Sequence, residues 1–290
     1  MLLRTENLTK DYGSFRALDA LDLTLEPGEV FGLLGPNGSG KTTALRLLLG
    51  FLRPTTGSAW INGHHCWDDS VAARRHVAYL PGELRLYENM TGLQLIRFLC
   101  ELRGQKVWPD LVDLARRFDI DLDRPIAHLS SGMKRKVALL QVLVPHAALL
   151  IMDEPTNTLD PSMRDELLEQ VRRARDRGQA VLFSSHVLGE VERVCDRVGI
   201  LQRGRLVHLQ RMADLREGRL VHARFSGPPP VLPPLDGLHE RERHGTAITL
   251  EYTGGLPDLL EWLARQPLDD LRLEPLGLAG IYHRYHGAVA

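Results

Sequence analysis

Residues 30–43, with the sequence VFGLLGPNGSGKTT, decide the fold of this chain. The apolar run Val30–Leu34 predicts a buried strand, and the residues after the glycine-rich turn predict a helix that starts near Lys41. The turn fits the pattern G-x-x-x-x-G-K-[ST], in which glycines let main-chain N–H groups point at phosphate oxygens and the helix N-terminus adds its positive end. Lys41 can reach the β- and γ-phosphates of a nucleotide, and the Thr42 hydroxyl can bind Mg²⁺. The stretch therefore indicates an α/β nucleotide-binding domain.

Apolar runs further along the chain repeat the strand-then-helix arrangement. Buried strands are predicted at Leu149–Met152, Ala180–Phe183 and Val198–Leu201. Helical patterns lie at Thr91–Arg103, Leu111–Phe118, Met133–Val144, Pro161–Arg175 and His186–Cys195. Alternating strands and helices predict a largely parallel sheet whose functional residues gather at the carboxyl ends of the strands.

Two acids, Asp153 and Glu154, follow the second of these runs directly. Asp153 can hold Mg²⁺ through water, as the acid at the end of the second strand does in phosphate-loop enzymes. Glu154 is then the candidate to orient or deprotonate an attacking water. A solvated strand end is the simpler alternative, but the phosphate loop in the same predicted sheet favours the functional interpretation.

The domain organisation follows from where these patterns stop. The helical patterns between Thr91 and Val144 contain no strand signal and predict a helical insert in the α/β core. The proline-rich residues 227–234 predict a loop or hinge. After it come a strand (Ala247–Tyr252), a helix (Leu256–Arg265), a strand (Leu271–Glu274) and a helix (Leu278–His286). We expect a nucleotide-binding domain over 1–218, with a helical subdomain at about 88–146, and a small α+β domain over 219–290.

Composition excludes several other classes of protein. The 290 residues contain 36 Lys and Arg against 37 Asp and Glu, so no overall positive field exists to hold nucleic acid. The 3 cysteines form no Cys-x-x-Cys pair, which suits a reducing cytosol. The N-terminus lacks the apolar segment of a secretory signal, and the most apolar stretch, Val137–Met152, falls short of the ~20 residues of a membrane span.

Four motifs in order resemble those of the ATP-binding cassette (ABC) ATPases over roughly residues 1–215. Residues 129–133 (LSSGM) resemble the signature motif LSGGQ at the start of a helix, and residues 153–160 (DEPTNTLD) resemble the Walker B motif with the D-loop. His186 resembles the switch histidine, and Tyr12 resembles the aromatic residue that stacks on adenine. A phosphate-loop kinase or GTPase would not explain LSSGM or His186.

The resemblance implies a mechanism with ATP and Mg²⁺. Two such domains pair head to tail, as a homodimer or a heterodimer, and bury two ATP molecules between them. The implied catalytic residues are Glu154 as general base, His186, which would hold the transferred γ-phosphoryl, and Lys41. The implied metal ligands are Thr42 and Asp153. The implied nucleotide-contacting residues are Tyr12, Gly35, Pro36, Asn37, Gly38, Ser39, Gly40, Lys41, Thr42 and Thr43, with Ser130, Gly132 and Asp160 acting on the partner's nucleotide.

The chain departs from the family pattern in two places. Ser131 and Met133 replace the usual Gly and Gln of the signature, while Ser130 and Gly132 are kept. In the loop at residues 79–83 (YLPGE), Gly82 stands where the family usually has a Gln that contacts Mg²⁺ and water. Either Glu83 or a water molecule is expected to take that place.

The C-terminal part resembles the small domain of ATPases from ABC-2 type exporters, a group that includes drug and antibiotic resistance pumps. The segment Leu276–His286 (LGLAGIYHRYH) resembles the closing helix of that domain. The resemblance implies separate transmembrane permease subunits as partners, membrane contact only through them, and a peripheral location on the cytoplasmic side of the membrane. A non-transport ABC ATPase, regulatory or associated with nucleic acid, is the alternative.

Two smaller clusters receive simpler interpretations. His64, His65 and Cys66 resemble metal ligands but lie on a turn with no further ligand in pattern. The run Lys134–Lys136 is interpreted as a solvated helix face rather than a nucleic-acid patch.

Overall fold

The computed structural model describes residues 1–104 and 110–286 of the chain. They form two compact units, Met1–Leu209 and the residues from Gln210 onward. The division falls earlier than the boundary expected at Gly218, and residues 105–109 of the expected helical subdomain lie outside the described residues. None of the helices described is long and apolar enough to cross a membrane.

The first unit contains two sheets and the helices that follow their strands. The strands are β1 (Leu3–Tyr12), β2 (Phe15–Leu25), β3 (Val30–Leu34), β4 (Thr56–Ile61), β5 (His64–His65), β6 (Val77–Leu80), β7 (Leu149–Asp153), β8 (Ala180–Ser185), β9 (Arg197–Gln202) and β10 (Arg205–Arg211). The helices are α1 (Lys41–Leu48), α2 (Ser70–Arg75), α3 (Gly92–Leu102), α4 (Asp110–Arg117), α5 (Ser131–Leu143), α6 (Pro161–Asp176) and α7 (Leu188–Val194).

The larger sheet has the order β10-β9-β3-β8-β7-β6. β3 pairs in parallel with β8 and β9, and β7 pairs in parallel with β8 and β6. Every residue of β3, β7 and β8 is buried, as continuous apolar strands in a covered parallel sheet should be. The register places Leu34 opposite Ser185 and Asp153 opposite Ser184, so the loops that carry the predicted motifs leave one edge of the sheet. The four strands predicted for this sheet are confirmed, and β7, β8 and β9 are each slightly longer than predicted.

A smaller antiparallel sheet, with the order β2-β1-β4-β5, was not expected from the sequence. β1 and β2 form a hairpin in which Tyr12 lies opposite Phe15. The buried residues of these strands share one core cluster with α1 and with β3, through side chains such as Leu21, Leu45 and Phe31. This packing fixes the hairpin beside the start of α1.

The helical insert is confirmed in the described part of 88–146, where α3, α4 and α5 occur. Thr91 caps α3: its hydroxyl accepts a hydrogen bond from Gln94 N, and the Gln94 side chain accepts one from Thr91 N. This reciprocal pair satisfies two N–H groups that a helix start otherwise leaves open. Ser130 caps α5 by accepting from Met133 N at 3.3 Å. The helix starts read from the sequence here are correct to within two residues.

The second unit is a four-stranded sheet with helices. Its elements are α8 (Met212–Glu217), β11 (Arg219–Phe225), β12 (Leu238–His244), β13 (Ala247–Tyr252), α9 (Leu256–Ala264), β14 (Leu268–Pro275) and α10 (Leu278–His286). The strand order is β12-β13-β11-β14, and α9 closes a separate core through Leu259 and Leu263. The proline-rich residues 227–234 form a loop, as predicted, but the loop joins β11 to β12 inside this unit rather than separating the two units.

Candidate active site

The glycine-rich loop after β3 folds back on the first residue of α1. The Lys41 ammonium donates to Gly35 O at 2.6 Å and to Pro36 O at 3.2 Å, and its side chain is only 6% exposed. Gly40 caps α1 with φ 109° and no side-chain hydrogen bond. A Cβ on Gly40 would lie 2.7 Å from Ala17 O, so the close approach of this loop to β2 requires glycine. The N-terminus of α1 and the Lys41 ammonium therefore both lie at this loop.

Asp153 joins this loop to two neighbouring strands. Its carboxylate accepts from the Thr42 hydroxyl at 2.9 Å and from the Ser184 hydroxyl at 2.6 Å, and the residue is 4% exposed. Thr42 belongs to α1, Asp153 ends β7 and Ser184 belongs to β8. The predicted metal ligands Thr42 and Asp153 are thus in direct contact.

Glu154 lies at the centre of the predicted catalytic residues. Its Oε2 lies 2.8 Å from His186 Nδ1, and its Oε1 lies 3.5 Å from Lys41 Nζ. Its backbone has φ 47°, in the left-handed region that residues other than glycine rarely adopt. The structure therefore brings the three predicted catalytic residues, Glu154, His186 and Lys41, into one cluster.

A cavity of about 790 Å³ opens beside this cluster. The predicted residues that line it are Tyr12, Asn37–Thr43, Asp153 and Glu154. Tyr12 is 48% exposed, and the Lys10 ammonium lies 5.2 Å from the centre of its ring. The volume falls within the range of small-molecule sites.

Five predicted nucleotide-contacting residues do not line the cavity of their own chain: Gly35 and Pro36, which begin the phosphate loop and hold Lys41, and Ser130, Gly132 and Asp160. Ser130 and Gly132 lie at the start of α5, and Asp160 caps α6 by accepting from Met163 N at 3.0 Å. Hydrogen bonds from Ser162 and Met163 hold the pKa of Asp160 below its usual range. Ser130, Gly132 and Asp160 are therefore separate from the catalytic cluster within one chain.

Sequence reasoning missed several residues that contribute to the site. Phe15, Arg46, Arg85 and Tyr79 also line the cavity. Burial, with the nearby charge of Asp153, raises the pKa of Tyr79 to about 12. The signal that could have found Phe15 is its place across a short turn from Tyr12.

The interpretation of Lys134–Lys136 as a solvated face is wrong for its middle residue. Arg135 is 2% exposed, and its guanidinium donates to main-chain oxygens of the loops after β6 and β7. The flanking Lys134 is only partly buried and pairs with Glu88 at 2.6 Å. Burial lowers the pKa of Arg135 from its usual value, and the charges of Asp153 and Glu154 oppose that shift.

The arrangement fits a nucleotide with a divalent ion. Ser39 Oγ is buried beside the cavity and has no hydrogen-bond partner among the described residues, and no side chain caps the N-terminus of α1. Both features leave donors for phosphate oxygens. The oxygens of Thr42 and Asp153 are hard ligands of the kind Mg²⁺ takes. Elsewhere in the described residues no group of three or more His, Cys, Asp and Glu could hold a metal, and His64 and His65 instead contact Asp69 and Asp68.

Comparisons with known proteins agree with this geometry. The family model described as "ABC transporter" matches residues 18–157. The ABC transporter ATP-binding protein YhcH of Bacillus subtilis (strain 168), itself uncharacterized, is 35% identical over 218 residues, which cover 73% of this chain and 71% of that protein. The linearmycin resistance ATP-binding protein LnrL of the same organism is 31% identical, with 74% and 70% covered. The Nod factor export ATP-binding protein I of Rhizobium meliloti is 34% identical, with 81% and 72% covered.

Solved structures give the same result. An ATP-binding subunit of an ABC transporter matches with a TM-score of 0.69 and 31% identity over 74% of this chain and 92% of that chain. A dimeric ATP-binding cassette in a post-hydrolysis state, bound to ADP and Pi, matches with a TM-score of 0.66 and 20% identity over 73% and 99%. The second match supports the fold alone.

Proposed function

Because the chain belongs to the ABC transporter family of ATP-binding proteins, we propose that it energises export through separate membrane subunits. The chain is the ATP-binding and ATP-hydrolysing subunit of an ABC transporter. Export is supported by relatives whose names state linearmycin resistance and Nod factor export. The chemical class of the exported compound is left open by these two different names.

The observation that carries the catalytic proposal is the contact of Glu154 with His186 and Lys41. Glu154 accepts a proton from the attacking water, because its carboxylate faces the cavity at the end of β7. His186 orients that carboxylate through the contact at 2.8 Å. Lys41 neutralises charge on the phosphates, and its present contacts at Gly35 O and Pro36 O hold it at the loop.

Thr42 and Asp153 are the residues that would hold Mg²⁺. When bound, the ion would neutralise negative charge on the phosphate oxygens. The N–H groups of the loop before α1 would bind the same phosphates, and Tyr12 would stack on the base. The site thus works by positioning and by neutralising charge at the phosphoryl group.

The separation of Ser130, Gly132 and Asp160 from the cavity supports a head-to-tail dimer. In such a dimer these residues complete the nucleotide site of the partner, so ATP joins the two subunits and its hydrolysis releases them. The partner is a second copy of this chain or a related cassette. The complex also contains transmembrane permease subunits, which hold the ATPase at the cytoplasmic side of the membrane, and no nucleic acid.

Glu154→Gln tests the catalytic proposal. The variant should keep ATP affinity, lose about 10²–10⁴-fold in turnover and accumulate as an ATP-bound dimer in gel filtration. Glu6→Gln is the matched control, because Glu6 is an exposed residue paired with Arg4 on β1. A Glu154→Gln protein that stays monomeric with ATP and turns over at the wild-type rate would contradict the assignment.

Purification of the tagged chain from detergent-solubilised membranes tests the partner. We expect a membrane protein of about six spans to co-purify, as the resemblance to ABC-2 type exporters implies. Recovery of the chain with nucleic acid, and without such a protein, would favour the non-transport alternative.

A further inference from the structure

A single buried guanidinium connects the two loops that lead from β6 and β7 into the site. Arg135 Nη1 donates to Pro81 O at 3.0 Å and to Gly82 O at 3.1 Å. On the other side, Nε donates to Pro155 O at 3.2 Å, and Nη2 donates to Asp153 O at 3.2 Å and also to Glu154 O. All of these acceptors are main-chain oxygens. The guanidinium therefore fixes the position of two main-chain segments, and none of these hydrogen bonds is made to a side chain.

Burying this cation is costly, and an apolar residue would fill the same helix face. Arg135 lies four residues before the buried Leu139 on α5, on the face that packs inward. The removal of a guanidinium from water is unfavourable unless its donors are satisfied. Its planar fork suits several carbonyls at once, which a lysine ammonium cannot match. The position therefore uses a property particular to arginine.

Glu154 has a backbone conformation that needs outside support. Its φ of 47° is unfavourable for a residue with a side chain, and such residues persist where the surroundings fix them. Glu154 N donates to Ser184 Oγ at 3.0 Å, and Glu154 O accepts from Arg135. The two contacts hold both ends of the residue, and the direction of its carboxylate depends on them.

The loop after β6 depends on the same guanidinium. Gly82 lies beside Asp153, and a Cβ at Gly82 would be in ordinary contact with Asp153 Oδ2, at 3.4 Å. Arg135 donates hydrogen bonds to the main-chain oxygens of Pro81 and Gly82. It therefore fixes the main chain of this loop at a residue that has no side chain of its own to make contacts.

We propose that Arg135 is a positioning residue for ATP hydrolysis, which holds the Glu154 carboxylate and the Gly82 loop in their working places. The proposal rests on the function proposed above. It assigns Arg135 no contact with ATP, because its hydrogen bonds end on the chain's own carbonyls.

The first test separates positioning from simple stability. Arg135→Gln should lower kcat by about tenfold or more, because small displacements of catalytic groups have effects of this size. Its dissociation constant for ATP, measured on dilute monomer, should stay within about twofold of the wild type, since the phosphate loop is untouched. Arg135→Lys keeps the positive charge but can form fewer of the hydrogen bonds, so its kcat should lie between those of Arg135→Gln and the wild type. Lys134→Gln, next along the helix, is the matched control and should keep the wild-type kcat.

The second test asks whether Arg135 acts through Glu154. In a Glu154→Gln background, Arg135→Gln should lower the residual turnover clearly less than it lowers kcat in the wild-type background, since the Glu154 carboxylate is already gone and only the hold on the Gly82 loop remains to be lost. An equal loss in both backgrounds, a wild-type kcat in Arg135→Gln, or a parallel loss of kcat and ATP affinity would overturn the proposal. If Arg135→Gln does not fold, Arg135→Lys carries the same comparison. A wild-type protein without any ATPase activity would instead overturn the proposed function.

Discussion

Because residue 82 is a glycine, the loop after β6 provides no side-chain ligand at that position for the proposed metal site. Gly82 lies outside the left-handed backbone region, and the nearest atoms that a Cβ there would meet belong to the Asp153 side chain, at 3.4 Å or more. We therefore expect Gly82→Gln to fold normally and to keep ATPase activity within about a few-fold of the wild type in the assembled transporter. A steep loss would show that the loop needs a backbone freedom that only glycine provides.

Glu83 is the comparison for that variant, because its side chain is exposed and lines the cavity. We expect Glu83→Ala to raise the Mg²⁺ concentration needed for half-maximal ATPase activity, if its carboxylate takes the role of the missing Gln. Titration of Mg²⁺ at fixed ATP measures this. An unchanged titration would assign the position to water.

Single residues show how far sequence reasoning reaches into the site. The phosphate loop, Asp153 and Glu154 could be picked out from the sequence because their spacing follows from the chemistry that we propose for them. Arg135 was missed because a run of three cations resembles a solvated face, although helical spacing already placed it with the buried Ala138, Leu139 and Val142. The acceptors that satisfy it lie 18 or more residues away along the chain, which no local pattern reveals.

At the scale of elements, the contact between α1 and β2 leads to a stability prediction. We expect Gly38→Ala to lower the free energy of unfolding by about 1–3 kcal/mol, since its φ of 79° is strained for alanine and nothing lies within 4 Å of a Cβ there. Gly40→Ala should lower it clearly more, because its Cβ would also meet Ala17 O at 2.7 Å. Urea unfolding without nucleotide compares the two. Equal losses would mean that the close approach to β2 does not restrict this loop.

In the larger sheet, the strands that the sequence predicted are those with a continuous apolar run. β3, β7 and β8 are buried on both faces and appear as apolar runs. β1 was missed because its pairing has several register shifts, which break the alternation of apolar and polar residues. β12 was missed because it is an edge strand of mostly charged residues, paired on one side alone.

At the scale of the whole molecule, the proposed head-to-tail arrangement predicts two different kinds of inactive variant. Lys41→Ala should weaken ATP binding by the dilute monomer, because Lys41 belongs to the cavity of its own chain. Ser130→Ala should leave that affinity intact and lose ATP-dependent dimerisation and hydrolysis. Equilibrium binding at low protein concentration, followed by gel filtration with ATP, measures both.

The adjacent Ser131 provides the control for that comparison. Ser131 is exposed like Ser130 and stands at the first position of α5, but it does not cap the helix. We expect Ser131→Ala to dimerise with ATP as the wild type does. If Lys41→Ala and Ser130→Ala lose monomer affinity equally, the two residues serve the same site and the head-to-tail arrangement is wrong.

The division of the chain into two units predicts that the ATPase site survives without the second one. All residues that line the cavity, and His186, precede Leu209. A chain of residues 1–211 keeps β10 whole, and we expect it to stay soluble and to bind ATP within about twofold of the full chain, since the two units have separate cores.

A chain of residues 1–218 should be less soluble, because it retains α8 with its buried Met212 and Leu215 but lacks Leu276, whose N–H donates to Gly218 O. The chain of residues 1–211 should lose a property of the assembled exporter, and we expect it to recover less of the permease in a pull-down than the full chain does. If residues 1–211 precipitate or fail to bind ATP, the second unit is part of the ATPase core and the domain assignment fails.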